Sequence, residues 1–197
     1  MRRNITKFNK PIFAGFAVLE LSKHLMYSTY YDKIKTMFND VRMIYTDTDS
    51  MVLHIKNSGN MFKIMAENED LFDFSDYPEE HILHSNKNKR VIGKLKDELS
   101  GNVMNRFISL RSKMYSYQKF DGEFKRCKGI KRCVVKNEMK FVDYYNCLYE
   151  NRNTEHTFQT FKSINHELYT ISSIKKGLSA FDTKRYYINN IQSVPFK

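Results

Sequence analysis

The stretch VRMIYTDTDSMVLHI, residues 41–55, constrains the fold most. Both flanks are β-branched, aromatic or long apolar residues, and the centre, Thr46-Asp47-Thr48-Asp49-Ser50, is small and polar. Asp and Ser favour turns because their side chains bond the nearby backbone, so the pattern predicts two strands joined by a tight turn. Ahead of it, Val18, Leu21, Leu25, Ile34, Met37 and Phe38 recur at three- and four-residue steps, with Glu20, Lys23, Lys33 and Lys35 between them. That spacing predicts a long amphipathic helix over residues 13–38, packed on one side of a core, with Asn39-Asp40 as its stop. Residues 56–88 read as irregular and polar, with apolar islands at Met61-Phe62 and Leu71-Phe72. Residues 91–117 read as further strands with short connections. Beyond Phe120, KGIKRCVVK reads as a strand and FVDYYNCLYEN as a helix. The fold class expected is α+β.

A length of 197 residues fits one domain or one and a half, and the 41% hydrophobic content can supply a core. No apolar run approaches the roughly 20 residues of a membrane helix. The charged N-terminus, MRRNITKFNKPIF, lacks the apolar stretch of a signal peptide. Cys127, Cys133 and Cys147 are odd in number and form no C-x-x-C pair, which points to free thiols in a reducing compartment. A soluble intracellular protein with no membrane partner is expected, its compartment (nucleus, mitochondrion or virus-infected cell) left open.

The net charge is +11. Residues 85–136 hold fifteen basic side chains against Asp97, Glu98, Asp121 and Glu123, so this one segment carries an excess equal to that of the whole chain. A local excess of this kind favours a polyanion, because each cation set against a phosphate releases condensed counterions.

Asp47 and Asp49 are the candidate chemical centre. Strand residues two apart share a face, and at a hairpin tip two carboxylates can converge on one cation. Mg²⁺ suits such a pair, since it takes one or two carboxylates and completes its shell with water and substrate phosphates. A bare D-x-D is more often an ordinary Asx-rich turn. An EF-hand is excluded, because Val52 stands at the sixth place of the loop and Ser58 at the twelfth. A nucleotide-sugar site of the glycosyltransferase type stays open on the pair alone. His81 and His84 lack a third ligand at zinc spacing and read as a surface pair.

Tyr45-Thr46-Asp47-Thr48-Asp49-Ser50 resembles the Y-x-D-T-D-S palm motif of family B DNA polymerases. The resemblance implies Asp49 as main ligand of two catalytic Mg²⁺ ions, Asp47 as an auxiliary or water-mediated ligand, and Tyr45, Thr48 and Ser50 as support for the turn. Some sixty residues on, Arg111-Ser112-Lys113-Met114-Tyr115 resembles the family's K-x-Y motif, whose lysine and tyrosine contact the primer terminus and its template partner. KPIFAGFAVLELSKHLMY, VIGKLKDELSG and FISLRSKMYS resemble palm segments of the viral and organellar, protein-primed branch. CKGIKRCVVK resembles the start of its thumb, and LSAFDTKRYY its C-terminus.

The resemblance further implies an antiparallel palm sheet with a long packed helix over residues 1–118, then a small mixed thumb subdomain over 119–197. The partners implied are primer–template DNA, deoxynucleoside triphosphates and, in that branch, a terminal protein primer. DNA contacts are expected from Lys94, Lys96, Arg111, Lys113, Tyr115, Lys128 and Lys131. The sequence holds no D-x-x-S-L-Y-P-type segment, whose aspartate would complete the two-metal site, and no K-x-x-x-N-S-x-Y-G-type nucleotide helix. The chain by itself is therefore expected to polymerise nothing. The alternative is a non-catalytic, DNA-binding remnant of such an enzyme.

Overall fold

A computed structural model describes residues 9–56, 59–181 and 185–195. The chain divides into two compact units, Met1–Ser100 and Gly101–Lys197. The class is α+β, with small, mostly antiparallel sheets and one long helix.

The first unit opens with α1 (Ile12–Ser28), which runs through a π-helical segment (Thr29–Ile34) into a short α2 (Lys35–Met37). The long helix is where the residue spacing put it, but its packing differs. None of the α1 residues is buried; burial begins at Thr29, Tyr30 and Ile34. Phe13, Phe16 and Leu19 lie off the Val18–Leu21–Leu25 stripe, so apolar residues occupy all sides of α1 and no single face is selected for the core. Only the π-helical end packs, where Tyr30, Ile34 and Phe38 meet Val41 of β1 (Asp40–Asp47).

β1 pairs antiparallel with β2 (Ser50–Lys56), as the two apolar flanks predict. Met43, Leu53 and Ile55 pack against the helix end, and the Met43 backbone N–H donates to the Tyr30 hydroxyl at 3.1 Å. The apolar islands of the irregular stretch turn out to be core. Met65 of α3 (Met61–Glu67) and Leu71, Phe72, Phe74 and Tyr77 are all buried. Two-residue strands β3 (Phe72–Asp73) and β4 (Leu95–Lys96) pair in parallel. Between them, the buried Asn88 amide donates to the Glu69 and Phe72 carbonyls at 2.9 and 2.8 Å, pinning a long loop. Burial works against ionisation of Asp73. Hydrogen bonds from Ser75 and the Arg90 N–H, with Lys96 nearby, outweigh it and hold the carboxyl at about 2. Its stabilising contribution is therefore complete above the ordinary carboxylate range and is lost as pH falls toward 2.

The second unit is built on the antiparallel sheet of β5 (Met104–Arg111), β6 (Met114–Lys119) and β7 (Gly122–Cys127), with α4 (Arg132–Asn137) and α5 (Phe141–Tyr149) next in the chain. One sheet face packs against the helices: Ile108, Met114, Cys127, Val135, Met139, Phe141, Tyr144, Cys147 and Leu178 form its core. The division at Ser100/Gly101 precedes the expected one near residue 118, which falls inside β6, because β5, β6 and β7 share one ladder and one core. The expected CVVK strand is a helix instead. Val134 and Val135 favour strands, yet both are buried in α4, and tertiary packing overrides that preference.

A long hairpin, β8 (Glu155–Ile164) with β9 (Glu167–Lys176), turns at Asn165-His166, both at positive φ (51° and 68°). Two positive φ values in a two-residue loop give the I′-like geometry that matches strand twist. A last pair, β10 (Arg185–Tyr187) with β11 (Ser193–Pro195), ends the described chain. The C-terminal match LSAFDTKRYY includes Asp182, Thr183 and Lys184, which lie outside the described residues. Among the described residues no helix is long and apolar enough to cross a membrane.

Candidate functional site

The β1–β2 ladder carries a bulge just ahead of the motif. Met43 pairs with Leu53 and Tyr45 with Val52, leaving Ile44 unpaired and exposed. Past the bulge Tyr45 pairs with Val52, Thr46 with Met51 and Asp47 with Ser50; Tyr45 and Asp47 are half-buried and Thr46 is exposed. Asp47 reaches the hairpin tip half-buried rather than in the core.

Asp49 is not a strand residue. It sits with Thr48 in the two-residue loop, so the strand period that predicted a shared face does not place it. A γ-turn does: the Asp49 N–H donates to the Asp47 carbonyl at 2.8 Å, and Thr48 between them has φ 61°. Asp49 itself is exposed. The motif's hydroxyls lock this geometry. Thr46 donates to the Ser50 carbonyl (2.9 Å), Ser50 to the Asp47 carbonyl (3.2 Å) and Thr48 to the Asp47 carboxylate (3.3 Å). Thr48 and Ser50 thus both bond to Asp47, one to its carboxylate and one to its carbonyl. Thr46 carries no role in the sequence expectation, and its hydroxyl, placed within the motif between two strand residues, was the available signal.

A β-branched residue at positive φ is strained, at about 1–3 kcal/mol. Thr48→Gly is therefore expected to stabilise the chain by about 1 kcal/mol, net of glycine's greater unfolded-state freedom. Urea denaturation checks this. A lowered midpoint would mean that the Thr48 hydroxyl bond outweighs the strain.

No family model, curated protein or solved structure matches the chain. The chemistry of the site itself therefore carries the functional reading.

Among the described residues no group of three or more His, Cys, Asp or Glu side chains is arranged to hold a metal. A closed four-ligand site is thus not built from these residues. Two hard carboxylate donors at an accessible tip do fit Mg²⁺, which leaves most of its shell to water and phosphate. The histidines serve the fold: His84 Nδ1 lies 2.8 Å from the Tyr77 carbonyl, and the His81 ring packs 4.5 Å from that of Tyr77.

The cations expected to touch DNA fall into two groups. Lys96 is held by Asp76 at 2.8 Å and Asp73 at 3.7 Å, and Lys94 donates to the Asp70 carbonyl. Their charge serves the first unit's own loops, which argues against phosphate contact by Lys96 in particular. In the second unit Arg111 donates to the Phe181 carbonyl at 3.3 Å, and Lys131 to the Gln159 carbonyl while lying 5.4 Å from the Phe158 ring. Lys113 is exposed in the β5–β6 turn at φ 58°, and its carbonyl accepts from the N–H of the equally exposed Lys128 at 3.0 Å. These two lysines stand side by side at one end of the sheet.

Tyr115 is half-buried on the sheet face opposite the core, with Phe107 and Phe124 stacked beside it at 5.8 and 6.1 Å. Phe107, Tyr117, Phe124 and Arg126 were not singled out from the sequence. Their signal was the two-residue alternation with buried Ile108, Met114, Ser116 and Cys127.

Proposed function

We propose that this chain supplies the aspartate-bearing palm hairpin and part of the DNA grip of a family B DNA polymerase. The reaction would be template-directed attack of a primer 3′-hydroxyl on a deoxynucleoside triphosphate, with release of pyrophosphate. The observation that carries this reading is the hairpin tip: just past a bulge, a γ-turn and three hydroxyl bonds present Asp47 and Asp49 outside the core within the Y-x-D-T-D-S motif. Such investment is more than a plain connecting turn needs, and strained backbone concentrates at functional sites.

Asp49, with Asp47 beside it, would hold Mg²⁺, which when bound polarises phosphoryl oxygens and lowers the charge barrier to in-line displacement. Asp49 is the exposed ligand. Asp47, with one oxygen bonded by Thr48, is the more fixed of the two. The remaining main ligand would come from the upstream palm aspartate that this sequence does not contain. Lys113 and Lys128 would sit on backbone phosphate, where cations position DNA without reading its sequence.

Primer–template binding tests the grip. Three or four phosphate contacts predict an affinity loss on the order of 100-fold between about 50 and 200 mM salt. Lys94, held by the Asp70 carbonyl, and Lys96, held by Asp73 and Asp76, keep the number that low. Fluorescence anisotropy across that range checks it; flat affinity would remove the DNA-binding half of the proposal. Primer extension by the chain alone, and by the chain supplemented with a palm segment carrying the second aspartate, tests the catalytic half. Activity is expected only in the mixture.

A further inference from the structure

The outward face of the β5–β6–β7 sheet carries a ring array that phosphate contact does not explain. Pairing places Phe107, Tyr115, Tyr117 and Phe124 on the side away from Ile108, Met114, Ser116 and Cys127. Their rings run across three strands at nearly parallel angles. Phe107 to Tyr115 is 5.8 Å at 30°, Tyr115 to Phe124 6.1 Å at 26°, and Tyr117 to Phe124 5.0 Å at 14°. Phe124 is exposed and the other three are half-exposed. The Arg126 guanidinium lies 5.6 Å from the Phe124 ring on the same face. Lys113 and Lys128 rim one end. The paired positions on this face include no carboxylate, since Glu123 lies on the other side, where it accepts the Phe141 N–H at 3.0 Å.

Cross-strand ring packing alone would account for the array but not for its cationic border. A polyanion with exposed π-faces accounts for both. Duplex DNA offers the charge, yet its base faces are occupied by its own stack. An acidic peptide offers the charge but no regular run of planar groups spaced between its anions. A single strand offers both, and aromatic side chains on an open sheet with basic neighbours are how such strands are held without sequence preference.

We propose that this sheet face binds unpaired nucleotides of a single strand by stacking bases on Phe124, Tyr117 and Tyr115, with Arg126, Lys113 and Lys128 on the flanking phosphates. The inference rests on the nucleic-acid reading above for the sign of the partner's charge, and adds that the partner here is single-stranded.

Anisotropy with three probes of about 12 nucleotides tests it: oligothymidylate, an abasic strand of the same length, and a duplex. Oligothymidylate is expected to bind at least about tenfold more tightly than the abasic strand, since each stacked base is worth about 1–3 kcal/mol. Phe124→Ala and Tyr117→Ala should each lower oligothymidylate affinity about tenfold and leave abasic binding unchanged, whereas Phe124→Trp retains it. Equal affinity of the wild-type chain for oligothymidylate and the abasic strand overturns the stacking proposal without relying on any variant's folding. A duplex that binds most tightly under those conditions overturns it while sparing the polymerase reading. Failure of all three probes to bind in a salt-sensitive way would end both.

Discussion

Asp49→Asn is expected to lower primer extension by at least about 10³-fold in a polymerase assembled with this chain, because a metal ligand lost at the reacting phosphate forfeits several kcal/mol of charge stabilisation. Asparagine keeps the shape and loses the charge. Asp49 is exposed and its N–H, not its carboxylate, makes the turn bond to Asp47, so the hairpin should survive the change. DNA affinity should therefore hold while turnover collapses, which separates a metal role from a structural one. Asp47→Asn should cost less in turnover, and its amide oxygen can still accept the Thr48 hydroxyl that the carboxylate now receives. Single-turnover extension beside an anisotropy titration measures both. If the Asp49 variant lost affinity and rate together, the residue would be holding the fold or the DNA rather than the metal.

Tyr144→Ala is expected to destabilise the chain by about 3–5 kcal/mol, the range for emptying a large buried aromatic site. Tyr144 has 0% exposure at the centre of the second unit's core, between α5 and the β5–β6–β7 sheet. Its hydroxyl donates to the Arg126 carbonyl at 3.0 Å, tying the helix to the strand that presents Arg126 on the opposite face. Burial pushes its phenol well above the ordinary range, so the group stays neutral and keeps donating. Tyr144→Phe removes only the hydroxyl and should cost about 1–2 kcal/mol, the penalty of an unpaired buried carbonyl. Against a total stability of about 5–15 kcal/mol, the alanine variant loses a large share. Far-UV circular dichroism in urea reads the difference, since the chain has no tryptophan. Near-equal midpoints for the two variants would mean that the hydroxyl, not the packing, carries the site.

Which parts were legible depended on how local their cause was. The β1–β2 hairpin arises from a polar centre between apolar flanks, all within one short stretch. The bulge at Ile44 does not, because an apolar residue in an apolar run carries no mark of being unpaired; register against Leu53 and Val52 decides it. The long helix was readable from its spacing, but the exposure of α1 was not, since periodicity reports a stripe without saying whether anything covers it. Val134-Val135 misled because β-branching favours strands while burial with Met139 selects the helix. The β8–β9 hairpin turns on Asn-His rather than Asn-Gly, a weaker turn signal, so its alternating Thr, Phe and Ile residues stood without a visible hinge. At the site, the two aspartates announced themselves by sequence. The pairing of Lys96 with Asp73 and Asp76 did not, because its partners lie far back along the chain.

Paramagnetic titration with Mn²⁺ tests the metal claim most directly. With primer–template bound, sub-stoichiometric Mn²⁺ should broaden the amide resonances of residues 46–50 before any others. Excess Mg²⁺ should restore them, and Asp49→Asn should abolish the effect. Broadening that begins elsewhere on the chain, or that persists unchanged in the Asp49→Asn variant, would contradict an ion held at this hairpin tip.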